Sequence, residues 1–384
     1  MDTFSFSIPQ NVIFGWGTME KLPEIAKKNG GSKGYIISGP HLKKMGMVDK
    51  CIEALGKNGI PCDSFTDTEG NPSTDTVNKA TAGFLESESD FIIALGGGSP
   101  LDTAKAVAVL GSYGGEITDY EGVGKVPGEV VPMIAIPTTA GTGSEVTAFS
   151  VITDHSRNYK LTVGSEYLIP KTAILDPELI TSVPEGIAAS CGVDALVHAL
   201  EAYLSLAASP FSDMMALKAM ELIGGNLIEY IADRTDKKAS EAMLMGSLFA
   251  GVAFSHARLG NVYAMSHPVS AFFDVPHGLA NAILLPTVVE FNEDTDCDKY
   301  YDIYRFISQK PIRRDVFRPH MLVDEITELN DKIGIPKDLR SVGVTEDKLE
   351  AMTDDAMKSG NIKVNPRITT RKDILDLYRK AYEK

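Results

Sequence analysis

The chain has 384 residues, 43% of them apolar and 23% charged, with a formal net charge of −15 at pH 7. That length supports two domains with separate cores, and so acidic a chain lacks the basic stripe of a nucleic-acid binder. No apolar run reaches the ~18 residues of a membrane span, and the N-terminus has no basic and apolar leader regions.

Cys51, Cys62, Cys191 and Cys297 show no CxxC and no paired spacing. The expectation is a soluble, cytoplasmic protein with reduced thiols, without nucleic-acid or membrane partners. The basic cluster "KPIRRDVFRPH" (310–320) has acidic neighbours on both sides and reads as a solvated surface.

In chain order, "KGYIIS" (33–38) predicts a strand and 41–59 an amphipathic helix ending at glycine. "CDSFTD" predicts a second strand, 73–89 a helix, and "DFIIALGGG" a buried strand running into glycines. "PLDTAKAVAVLGS" predicts the next helix and "VPMIAIPTT" another strand. Strands alternating with helices point to a parallel sheet covered on both faces. From residue 183 onward, Ala-, Leu- and Met-rich helical patterns replace the β-branched runs. The fold class is therefore an α/β N-terminal domain with a parallel sheet (1–182) followed by an all-α C-terminal domain (183–384).

Gly96, Gly97, Gly98 and Ser99 lie between a buried strand and a helix, where backbone amides and the helix dipole suit a pyrophosphate. A tight turn with an N-cap at Ser99 or Asp102 accounts for the bare motif equally well. "IPTTAGTGSEVTAF" follows the next strand and offers Thr138, Thr139, Thr142 and Ser144. Two hydroxyl-rich loops on one carboxyl edge of a parallel sheet favour a nucleotide pocket.

Asp194 and His198 stand at i and i+4 in "GVDALVHALEAY", so carboxylate and imidazole share one helix face among apolar neighbours. A simple Asp–His hydrogen bond is the bland alternative. Adding His277, from "DVPHG", gives a donor set suited to a divalent ion with an open position.

Together, "GGGSPLDTAKAVA", "PTTAGTGSEVT", "LDPELITSVPEGIAASCGVDALVHALEAY", "HPVSAFFDVPHGLANAILLP" and the late "NPR" (365–367) resemble the iron-containing (group III) alcohol dehydrogenase family, in order and over essentially the whole chain. The resemblance implies a dehydroquinate synthase-like α/β half and a helical, metal-binding half. It implies a pyrophosphate on Gly96–Ser99, with Asp102, Thr138, Thr139, Thr142 and Lys160 along the cofactor and Asn71 near its adenosine half. It implies metal ligation by Asp194, His198 and His277, and a place for His267 beside nicotinamide and substrate. Phe149, Val151, Phe254, Leu259 and Asn361 match positions near the substrate, whereas Arg258 and Lys363 read as surface. A homodimer or higher homo-oligomer is the family expectation.

Two departures matter. Family members usually carry a ligand histidine where this chain has Tyr263 in "YAMSHP", and a phenol of pKa about 10 is a poor ligand near neutrality. His256 stands seven residues earlier, two helical turns or roughly 10 Å away on one continuous helix. Three readings stay open: metal on Asp194, His198 and His277 alone; metal with Tyr263 as fourth ligand; or no metal, with Tyr263 and His267 handling the proton. Secondly, Gly39 stands where an acid often selects NAD(H), and with Lys43 and Lys44 nearby both NAD(H) and NADP(H) remain candidates.

The function implied is an NAD(P)-dependent alcohol dehydrogenase or aldehyde reductase acting on a small substrate, assisted by Fe2+ or alternatively Zn2+. The rivals are a metal-free reductase, a dehydroquinate-synthase-like metal lyase, and a non-catalytic cofactor binder.

Overall fold

A computed structural model describes residues 4–8 and 10–383. It divides into two compact units. One comprises Ile8–Thr139 and Ser144–Ser182; the other comprises Val183–Lys384 with Ala140–Gly143 and the described part of Met1–Ser7.

The first unit runs β1 (Asn11–Phe14), α1 (Leu22–Lys28), β2 (Gly34–Ile37), α2 (Pro40–Lys44), α3 (Met47–Lys57), β3 (Cys62–Phe65), α4 (Thr74–Glu86), β4 (Phe91–Gly96) and α5 (Gly98–Tyr113). It continues through β5 (Gly122–Val123), β6 (Met133–Pro137), β7 (Phe149–Asp154), β8 (Tyr159–Gly164) and β9 (Thr172–Leu175). Six strands form a wholly parallel sheet in the order β1-β9-β6-β4-β2-β3. Side-chain alternation in β4 explains its double burial. Ile93 and Leu95 join Ile36, Ile134 and Ile174 in one core layer with Val48 and Leu55 of α3. Ile92 and Ala94 join Ile37, Met133 and Ala135 in the other, with Phe84 of α4 and Ala104 of α5.

The single helix predicted over 41–59 is two helices, broken at Gly46, whose φ of 74° is left-handed. The sequence reading had no strand at 149–164, where β7 and β8 form an antiparallel hairpin, with β5 parallel to β8. Its inward residues Ile152, Leu161 and Val163 pack on Val77 of α4 and on Ala106, Val109 and Leu110 of α5.

The second unit holds α6 (Glu185–Leu204), α7 (Pro210–Gly224), α8 (Leu227–Ala232), α9 (Lys237–Ala257), α10 (Asn261–Phe273), α11 (His277–Asn292), α12 (Cys297–Ser308), α13 (His320–Lys332), α14 (Leu349–Ala356) and α15 (Arg371–Tyr382). Helices α6, α7 and α9 pack on one another, α11 packs on α6, and α10 packs on α11. The parallel-sheet and helical halves expected from the sequence are both present. Helix α6 has the length and apolarity to cross a bilayer, yet 83% of that stretch is buried inside the protein. Its composition is that of a core helix.

His256 and Tyr263 do not share a helix. The chain turns at Arg258, with φ 62°, and α9 and α10 meet at 103°. His256 faces away, its ring 4.3 Å from that of Phe6 and its Nε2 3.1 Å from the Ser7 carbonyl. Among the described residues, Cys51, Cys62 and Cys297 form no disulfide. In the basic cluster, Lys310 pairs with Glu325 and Glu328, Arg313 with Asp315 and Arg314 with Asp298, all at the surface.

Candidate active site

On the α/β unit, β4 and β6 end side by side, Gly96 opposite Pro137. The Thr138 amide donates to the Gly96 carbonyl at 2.9 Å, and a Cβ on Gly97 would lie 3.2 Å from Thr139 Oγ1. The structure thus brings Gly96–Ser99 together with Thr138 and Thr139 at the carboxyl edge, where α5 begins at Gly98. Gly39 follows β2 and precedes α2. Lys160 on β8 donates to Asn71 Oδ1 at 2.6 Å, joining two residues far apart in sequence. Thr142 lies in the Ala140–Gly143 stretch that belongs to the helical unit.

Asp102 is engaged within the protein. Its Oδ1 accepts from Ser144 Oγ at 2.6 Å and its Oδ2 from the Val151 amide at 3.0 Å. Burial pushes this carboxyl up, against the pull of Lys105 and Ser144. Lys105, 1% exposed, donates to Ser144 Oγ, to the Thr147 carbonyl and hydroxyl, and to the Phe149 carbonyl, at 2.8–3.1 Å. Burial lowers its ammonium to about 8, opposed by Asp102 and Glu145. Glu145 is buried with Oε1 lacking a hydrogen-bond partner among the described residues, and burial raises it to about 7. Sequence reasoning missed Lys105 and Glu145. The available signal was a lone lysine three residues after Asp102 in the apolar run "AKAVAVL".

In the helical unit, α6 presents Asp194 and His198, 2% and 1% exposed, with His198 Nε2 3.5 Å from Asp194 Oδ1. Burial lowers the His198 pKa, opposed by the Asp194 charge and the Gly141 backbone. Helix α11 opens with His277. A Cβ on Gly278 would stand 2.7 Å from the Ser190 carbonyl, so glycine lets that helix end close on α6. One turn later, Asn281 Nδ2 donates to Asp194 Oδ1 at 2.6 Å and lies 3.1 Å from His277 Nε2. Asn281 was also missed, although it stands at i+4 from His277.

From α10 come Tyr263 and His267, one turn apart. The Tyr263 ring lies 5.4 Å from His198 and 4.7 Å from both His267 and His277, centroid to centroid. His267 and His277 are 5.2 Å apart. Tyr263 is therefore the hub of three imidazoles. Phe254 of α9 lies 4.5 Å from the His198 ring; Leu259 is buried after the α9 turn, and Asn361 is half-buried in a short 3-10 turn. Phe149 and Val151 lie on β7 of the other unit. Arg258 and Lys363 are exposed, as expected.

Whether these residues fit a metal rests on His198. Its buried Nε2 has no hydrogen-bond partner among the described residues and faces a carboxylate, a costly arrangement for a purely structural histidine. No group of three or more His, Cys, Asp or Glu side chains drawn together as a metal cluster occurs among the described residues; His277 is tied to the Asp194–His198 pair through Asn281. A carboxylate and two imidazoles are donor types that suit a divalent cation, and the His198 Nε2 without a hydrogen-bond partner among the described residues is the observation that points to one.

Two family models cover nearly all of the chain: iron-containing alcohol dehydrogenase over residues 9–177 and the C-terminal domain of the same family over 188–382. The lactaldehyde reductase of Escherichia coli K12 is 36% identical, over 96% of this chain and 97% of that one. The structure resembles that of a 1,3-propanediol oxidoreductase, with TM-score 0.94, 34% identity, and coverage of 99% and 100%. It also resembles that of a sulfoacetaldehyde reductase from Bifidobacterium kashiwanohense in complex with NAD+, with TM-score 0.89, 30% identity and full coverage of both chains. The family models and the relatives they join define an oxidoreductase that interconverts alcohols and aldehydes. The chain belongs to the iron-containing alcohol dehydrogenase family.

Proposed function

We propose that the protein is a nicotinamide-dependent reductase of small aldehydes, reversible as an alcohol dehydrogenase. NAD(H) is the cofactor favoured by the reductase structure solved with NAD+, and NADP(H) is the alternative. The observation that carries this reading is the ring cluster around Tyr263, 4.7 Å from both His267 and His277 and 5.4 Å from His198 of the buried Asp194–His198 pair.

Gly96, Gly97, Gly98 and Ser99, at the start of α5, would receive the pyrophosphate through backbone amides. Thr138, Thr139, Thr142, Asp102, Lys160, Asn71 and Gly39 are the other proposed cofactor positions. Lys43, one of two lysines near Gly39, pairs with Asp49 at the surface, which weakens it as a 2′-phosphate partner. Asp194, His198 and His277 would hold the metal, Fe2+ before Zn2+, and a bound divalent ion polarises a carbonyl oxygen as a Lewis acid. A bound nicotinamide would supply the hydride. His267 moves the proton to the alkoxide oxygen, imidazole being suited to transfer near neutral pH. Tyr263, packed against His267 at 4.7 Å between ring centroids, would orient that ring. Phe149, Val151, Phe254, Leu259 and Asn361 are the proposed substrate positions on the family resemblance, and their mostly apolar side chains suit a short substrate.

The test is NADH and NADPH oxidation with short aldehydes, alongside metal analysis of protein purified without chelator. The expected result is NADH turnover that stops on chelation, with about one metal per chain. Turnover that survives complete metal removal would transfer the acid role to Tyr263 and His267. Cofactor binding without any turnover would overturn the reading.

A further inference from the structure

Helix α10 starts at a glycine, and Gly260 supplies no side-chain cap. The first N–H groups of a helix lack intrahelical acceptors, and here they are met from outside. Glu201, on the same helix as Asp194 and His198, accepts from the amides of Gly260 at 2.9 Å, Val262 at 2.7 Å and Tyr263 at 3.3 Å. Asn365 Oδ1, from the "NPR" segment, accepts from the Asn261 amide at 3.3 Å. Asn365 is itself locked. It exchanges hydrogen bonds with Asn292 at 2.9 and 3.1 Å and donates to the Arg367 carbonyl at 2.8 Å. Thr369 Oγ1, 3.3 Å from Asn365 Nδ2, also accepts from the Asn261 side chain at 2.9 Å.

All four amides from 260 to 263 are therefore satisfied by two buried side chains, 5% and 2% exposed. Glycine is required at 260, because a Cβ there would lie 2.9 Å from both Asn365 Oδ1 and Glu201 Oε1.

We propose that Glu201 and Asn365 are positioning residues for the reaction. They fix the first turn of α10 to α6, and so set Tyr263 and His267 against His198 and His277. The inference rests on the function proposed above in treating those rings as the reacting groups. It gives the "NPR" segment a task and makes α6 the carrier of both the metal-type pair and the anchor of the second helix.

In Glu201→Gln, the amide N–H2 points donors at amides that are themselves donors, so the clamp loses acceptors without losing volume. The expected result is a tenfold or greater fall in kcat with KM for NADH within twofold, a displaced pH profile of kcat, and faster hydrogen exchange confined to residues 260–267. Asn365→Ala is the second variant, should Glu201→Gln fail to fold, with the same pattern expected. Faster exchange with unchanged kcat and pH profile would reduce the clamp to a structural cap and overturn the proposal. Unchanged exchange would also overturn it. If the wild-type protein turns over no aldehyde, the functional reading fails separately, and exchange at 260–267 still decides whether the clamp governs α10.

Discussion

The Lys105 cluster and the His198 cluster are both buried, polar and charged, yet they are built on opposite terms. Around Lys105, ammonium, carboxylate, hydroxyls and carbonyls nearly saturate one another, with Glu145 Oε1 the atom left unmet among the described residues. Around His198, neither ring nitrogen has a hydrogen-bond partner among the described residues although a carboxylate stands 3.5 Å away, and the rings of Phe254 and Tyr263 crowd in. A saturated network holds a fold together, whereas an unsaturated one is kept for a ligand. Damage to the first should be felt in stability, damage to the second in turnover.

The sharpest way to break that contrast is at His198. His198→Gln is expected to lower kcat/KM at least ~10³-fold, about 4 kcal/mol of transition-state stabilisation, while thermal stability moves by no more than about 1 kcal/mol. Steady-state kinetics beside calorimetry would check it, and equal losses in both would erase the distinction. Lys105→Met should do the reverse. It strands the buried acceptors of Ser144, Thr147 and Phe149 and the Asp102 charge, costing about 3–5 kcal/mol in denaturant titrations. Turnover per folded molecule should fall far less than in the His198 variant.

Glu145 sharpens the contrast through pH. Its carboxyl is raised from the ordinary 4.5 to about 7, so between those values the folded chain keeps a proton that the unfolded chain has lost. Stability contributed by this group is therefore full below pH 4.5 and lost as pH rises toward 7, an effect on the order of 2 kcal/mol. Melting temperatures from pH 5 to 7.5 should fall in the wild type, and Glu145→Gln should flatten the decline. An identical slope in the variant would assign that decline to Glu201, raised likewise to about 7 by burial.

What could be read from sequence follows from which interactions are local. The doubly buried β4 announced itself as an unbroken apolar run, and Asp194–His198 by helical spacing. The hairpin β7–β8 does not announce itself, because polar Ser150, Thr153, Asp154 and Lys160 occupy buried positions and blur the strand period. The break at Gly46 needed the left-handed conformation to be weighed against an otherwise helical period. Glu201 and Asn281 stayed hidden for a different reason: each looks like an ordinary polar residue on a helix until the partner arrives, and those partners lie 59 to 87 positions away. Spacing finds groups that share an element; only the fold finds groups that share a task.

The shared helix α6 has a mechanical consequence. Asp194, His198 and Glu201 move as one body, and Glu201 grips the end of α10. A small slide or rotation of α6 therefore carries carboxylate, imidazole and the tyrosine-bearing turn along together, and their separations change little. The site behaves like an instrument whose source and detector are bolted to one bench: vibration of the bench drops out of the reading.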